Sequence, residues 1–170
     1  MYRFLAVVSL LILAACATPA PQDGSAVYRI SSSETSRIQF RMLDGINALR
    51  TSSGLPQVRM SSELNAAAAT HSRDMSLQNR PWHFGSDGSS PLDRAARAGF
   101  AGRVLGENIS ETYETELQTL SAWMTQPETR GVILDRNATD IGFAWFQEPS
   151  GKIWWTLVTG NANQPVRVGA

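Results

Sequence analysis

The chain holds two histidines, His71 and His83, and a single cysteine, Cys16. These side chains are the best equipped to bind a metal, move a proton or carry a lipid, so their number bounds the chemistry. A tight zinc site takes three or four protein ligands from His, Cys and carboxylate. Two imidazoles fall short of that unless carboxylates complete the set. No resident cofactor is expected, and at most a weakly held divalent cation such as zinc. One cysteine excludes a disulfide within the molecule. Arg130 has fixed donors that suit tying a loop carboxylate or carbonyl.

Cys16 has a specific context. Met1-Tyr2-Arg3 precedes an apolar run from Phe4 to Ala15, the order of a secretory signal. At about twelve residues the run is too short to span a bilayer core, which needs roughly 20. It ends in Leu13-Ala14-Ala15-Cys16, the pattern at which a lipoprotein signal peptidase cuts to leave an acylated cysteine. Residues 1–15 are therefore expected to be a signal peptide and Cys16 the lipidation site. Palmitate-type chains there contribute about 0.8 kcal/mol per buried methylene, which holds a protein to a membrane without a spanning helix. Ala17 replaces the Asp that retains many such proteins at an inner membrane, so a periplasm-facing position on the outer membrane is preferred. Residues 16–34, rich in Ala, Pro, Ser and Gly, are expected to form the lipidated terminus and a flexible linker, and residues 35–170 one domain.

Without the signal the chain carries 14 basic and 15 acidic side chains. There is no basic field to attract nucleic acid. A monomer is expected, with the membrane as partner through the lipid.

Around the candidate residues, four helices and a late hairpin are legible. Ser31 with Glu34 reads as a capping box, and Ile38, Met42, Ile46 and Leu49 then recur at helical spacing over about 35–51, until Gly54 and Pro56. A second helix runs from a Ser61 cap to about Asn79, with Leu64, Ala67, Ala68, His71 and Met75 on one stripe. Residues 80–90 form a loop that carries His83. Ser90-Pro91 starts a short third helix ended by Gly99. Leu105–Ile109 reads as a short strand, 112–125 as a fourth helix closed by Pro127. Ile141, Phe143 and Trp145 alternate before a turn at 148–151 and a β-rich segment at 152–159, which predicts an antiparallel hairpin. Helices first and strands late give an α+β domain.

The segments Ile46-Asn47-Ala48-Leu49-Arg50, His71-Ser72-Arg73-Asp74-Met75, Trp82-His83-Phe84-Gly85, Ser90-Pro91-Leu92-Asp93-Arg94, Gly106-Glu107-Asn108-Ile109, Trp123-Met124 and Asp140-Ile141-Gly142 occur in this order. Together they resemble the superfamily of cysteine-rich secretory, antigen five and pathogenesis-related proteins (the CAP or SCP domain), in particular its bacterial lipoprotein branch. The resemblance implies an α-β-α sandwich, a small antiparallel sheet covered by helices, with a cleft. There many members place two His and two acidic side chains that hold a divalent cation. His83 matches the first His and Glu107 the first Glu. Thr129, in Gln126-Pro127-Glu128-Thr129-Arg130, stands where the second His belongs, and no residue stands clearly at the second acidic position.

A half-buried Glu107 needs a partner, and His83 is the candidate. His71, on its apolar stripe, reads as a hydrogen-bonded core histidine; it adds a third ligand only if its helix faces the same cleft. Ser89 or Ser90 with His83 and Glu107 is the one grouping resembling a hydrolytic triad, but nothing here resembles the strained turn that presents a nucleophilic serine. Trp145, Trp154 and Trp155 read as core more than as a lipid or glycan groove. The cleft candidates are thus His83, Glu107, His71 and Arg130, with His83 and Glu107 the weak metal candidates. The expected role is a binding module for a lipid, peptidoglycan or protein ligand. The alternative is a metal-assisted hydrolase acting on peptide or cell-wall bonds.

Overall fold

The computed structural model describes residues 28–111 and 113–165. The expected signal peptide, residues 1–15, and Cys16 lie outside them. Helix α1, Thr35–Ser52, buries Ile38, Met42, Ile46 and Arg50. Strand β1 is the pair Arg59–Met60. Helix α2, Ser62–Gln78, starts where the Ser61 hydroxyl accepts from Leu64 N at 3.2 Å. It stops where Asn79 turns left-handed at φ 47, a conformation asparagine tolerates better than most side chains. Helix α3, Pro91–Arg97, opens on a capping box of Ser90 and Asp93. Strand β2 is Gly102–Ser110. Helix α4, Glu116–Thr125, begins at a Thr115 and Gln118 capping box rather than at residue 112. Pro127, read as a stop, also starts helix α5, Pro127–Ile133, because a first-turn proline has no N–H to leave unbonded. Strands β3, Asp140–Gln147, and β4, Ile153–Pro165, form the expected hairpin.

The sheet order is β1-β3-β4-β2. β4 lies antiparallel between β3 and β2, while β1 runs parallel to β3. The α+β sandwich is as expected, but its sheet is mixed and not purely antiparallel. Strand alternation sends alternate side chains to opposite faces. Phe143, Trp155 and Leu157 meet α1, α4 and α5 on one face, whereas Ala144 and Val158 meet α2 and α3 on the other. Phe143 stacks on Trp155 with centroids 5.5 Å apart and planes 8° apart. Trp154 and Trp155 are fully buried, so they are core and line no groove. Each large apolar side chain so buried stabilises the domain by about 1.5–3 kcal/mol.

α2 lies unusually close to the sheet. A Cβ on Gly142 would sit 2.1 Å from the Leu64 carbonyl carbon, so only glycine lets the helix approach β3 this closely. On the other face, Arg50 is buried and donates to the carbonyls of Pro56, Ile133, Asp135 and Ala138. It fastens two connections to α1 and takes the role that the sequence suggested for Arg130.

The N-terminal connection departs from expectation. Ser31 caps a short 3-10 turn, Ser32–Glu34, and accepts from Ser33 N, while Glu34 pairs with Arg37. No Ser31 and Glu34 capping box forms. Upstream, Ile30 N donates to Gln147 Oε1 at 2.9 Å and Arg29 Nη1 to Glu148 O at 2.9 Å. The linker read as reaching residue 34 therefore ends earlier, because residues 28–30 bond to the β3–β4 turn and residues 32–34 form the 3-10 turn into α1.

Candidate functional site

α2 delivers His71 from its buried face, the loop after α2 delivers His83, α3 delivers Arg94, and edge strand β2 delivers Glu107. Glu107 stands at the centre, its side chain 2% exposed. Its Oε1 accepts from His83 Nδ1 at 2.9 Å and its Oε2 from Arg94 Nη2 at 2.7 Å. Arg94 is itself buried and also donates to Ser89 O at 2.8 Å and His83 O at 3.1 Å. One guanidinium thus neutralises the carboxylate and pins the loop that carries His83. Charge-assisted bonds of this kind are roughly twice as strong as neutral ones.

His71 lies beneath, fully buried, with Nε2 2.9 Å from Trp82 O and 3.6 Å from Glu107 Oε1. Both neighbours are acceptors, so Nε2 carries the proton; Nδ1 has no hydrogen-bond partner among the described residues. Burial, the dominant influence, holds its pKa below the ordinary 6.5, against the opposing pull of Glu107. His71 is therefore a core histidine whose helix does face the site.

His83 is different, its side chain 53% exposed. Because Nδ1 donates to Glu107, the neutral ring directs an Nε2 lone pair outward. This is a fixed acceptor that becomes a donor on protonation. Trp82 and Phe84 flank it with centroids 5.6 Å apart, and the Arg80 guanidinium lies 4.0 Å from the Trp82 ring centroid.

The other candidates do not join this group. Arg130 is exposed on α5, and its side chain makes no hydrogen bond or ion pair among the described residues. Thr129 caps α4, its hydroxyl donating to Trp123 O at 2.6 Å, while its carbonyl accepts from Asn108 at 2.8 Å. Ser90 closes the α3 capping box and Ser89 is buried with its carbonyl on Arg94, so neither hydroxyl serves His83. The donor set fits a metal poorly. Glu107 has one oxygen on a guanidinium and the other on His83, leaving His83 Nε2 as the exposed nitrogen, with His71 Nδ1 unpartnered but buried. No group of three or more His, Cys, Asp or Glu among the described residues is arranged for a cation. Arg94 is the member that residue-by-residue reading missed. It appeared only as part of a motif, and its Asp93-Arg94 neighbourhood resembles an ordinary exposed helix pair.

The model of the cysteine-rich secretory protein (CAP) family matches residues 43–159. The chain belongs to that family. A relative, the uncharacterized protein YkwD of Bacillus subtilis, is 29% identical over 136 residues, 80% of this chain and 52% of that protein. The chain spans about half the length of this relative. Among solved structures, an outer surface protein of Borrelia burgdorferi superposes with a TM-score of 0.69 at 14% identity, covering 75% of this chain and 94% of that one. An extracellular SCP-domain protein of Bacillus anthracis gives 0.69 at 20% identity, covering 78% and 44%. These likenesses establish the CAP fold. No described helix is long and apolar enough to cross a membrane.

Proposed function

We propose that this CAP domain is a lipid-anchored binding module of the bacterial envelope that engages its ligand or partner through His83 and the cleft beside Glu107. The observation that carries the reading is the use of Glu107. Both carboxylate oxygens are committed within the protein, so Glu107 acts as the fixed base of the site and His83 Nε2 as its contact point. Anchoring rests on Leu13-Ala14-Ala15-Cys16. Preorganisation of this kind favours binding, because little ordering remains to oppose it.

A carboxylate that orients an imidazole through Nδ1 is also what a general base requires, so hydrolysis of peptide or cell-wall bonds is the competing reading. One experiment separates them. The native lipoprotein, His83→Ala and Glu107→Gln are purified in parallel, with mass spectrometry of co-purifying lipids, muropeptides and proteins, and assayed on peptides and peptidoglycan. A species retained by the native protein and lost from folded His83→Ala supports binding. Turnover that vanishes in Glu107→Gln overturns it in favour of the hydrolase.

A further inference from the structure

From the placement of the first described residues and their neighbours, we infer that the end of the domain bearing the β3–β4 turn and the Arg80–Phe84 loop docks on the bilayer that holds the lipid anchor. This deepens the proposed function and rests on its anchoring.

The argument starts at the point of attachment. Cys16 and Tyr28 are twelve residues apart, a span of at most roughly 40 Å when fully extended. The first described residues meet the domain at the β3–β4 turn. Tyr28 O accepts from Gln147 Nε2 at 2.7 Å and Arg29 holds the turn carbonyls of Glu148 and Pro149. That turn contacts the end of α2, where Ser76 Oγ donates to Glu148 Oε1 at 2.8 Å and Lys152 Nζ to Asn79 Oδ1 at 3.3 Å. The Arg80–Phe84 loop follows at once, with Trp82 Nε1 on Gln78 Oε1 at 2.8 Å. The tether thus enters beside the loop that carries His83. The far end of α2 lies about 25 Å away along its axis.

The surface at this end has the composition of a membrane interface. Tyr28 is 36% and Phe84 49% exposed, Trp82 is half-buried, and Arg29 and Arg80 are exposed beside them. Aromatic rings with a polar edge and basic side chains favour the headgroup region. Lys152 is paired with Glu111 and the Arg29 guanidinium is bonded to the turn carbonyls, so the free cations are few. A patch this small would not recruit the domain from solution. It suffices when a short tether makes docking an intramolecular step, with effective concentrations in the millimolar range. Docked in this way, the domain brings the exposed His83 imidazole to the lipid surface, so the ligand proposed above lies in or against the headgroup layer.

The chain from Cys16 onward, which contains every described residue, is coupled through the Cys16 thiol to a maleimide lipid in phosphatidylethanolamine and phosphatidylglycerol vesicles. Amide hydrogen exchange is compared with the same chain capped by a soluble maleimide. Slower exchange on vesicles at 28–30, 79–84 and 148–152, with 92–103 unchanged, is the expected result. Its loss in Arg80→Glu/Phe84→Ser, both exposed positions, identifies the surface. Equal exchange in the two states, or protection centred on 92–103, overturns the inference. Because coupling is chemical, the outcome does not depend on whether cells acylate Cys16. Fractionation of Cys16→Ser reads that separately.

Discussion

Replacing Arg94 by methionine is the sharpest test of the site's internal logic. Methionine fills comparable space without a charge, leaving Glu107, 2% exposed, with the two imidazoles in place of its permanent counter-ion. Ser89 O and His83 O lose donors at 2.8 and 3.1 Å at the same time. Removing one partner of a buried ion pair costs about 3–5 kcal/mol, most of it from the uncompensated charge. For a domain of this size each kcal/mol moves Tm by roughly 4 °C, so Arg94→Met should melt about 10–20 °C below the native protein. Glu107→Gln removes the stranded charge, so adding it to Arg94→Met should recover part of the loss. The assay is thermal and urea unfolding of the four members of the cycle. A loss below about 1 kcal/mol, or strict additivity, would refute the claim that Arg94 is the counter-ion of Glu107.

Burial lowers the His71 pKa, so at pH values from 6.5 down to its depressed native value the unfolded chain binds more protons; stability should fall on acidification through that range, and His71→Gln should flatten the slope in pH-dependent urea melts. His83→Ala should cost about 1–3 kcal/mol and Glu107→Ala about 3–5 kcal/mol, because it strands the buried Arg94 guanidinium, with the double variant below their sum, as chemical denaturation will read. Calorimetry should find zinc bound no tighter than the millimolar range, about 4 kcal/mol, because His83 Nε2 is the exposed nitrogen of the group while His71 Nδ1 is buried; micromolar, stoichiometric binding would show that Arg94 gives way. A chain starting at Ser33 should be less stable than one starting at Cys16 by about 1–3 kcal/mol, since it lacks the Arg29 and Ile30 bonds to the β3–β4 turn.

Much of this architecture was legible because it is local. Ser61 and Asn79 bracket α2 by cap chemistry, and Ile38, Met42 and Ile46 mark a face at helical spacing. β1 was missed because a two-residue strand has no pattern of its own; it exists only where Arg59 and Met60 find β3 some 80 residues away. α5 was missed because Pro127 ends one helix and starts the next. The pairing of His83 with Glu107 was reached through family resemblance, whereas Arg94 was hidden. No spacing rule tells an exposed helical arginine from one that the fold aims at a carboxylate on another element. The linker boundary was hidden for a similar reason, since Arg29 bonds to residues 119 and 120 positions further on.

The strand order has a consequence for how the chain reaches this state. Among the described strands β4 is made last, yet it is the one on which β2 depends for its pairing and the one that joins β2 to β3. During synthesis the first helices emerge with their apolar faces prepared but no sheet to receive them, and β2 must wait for a partner some 50 residues behind it. Such non-local closure is slow and leaves apolar surface exposed in the interval. The domain should therefore depend on holding factors until its final strand is free, and a truncation within β4 should yield an aggregating chain instead of a smaller folded one.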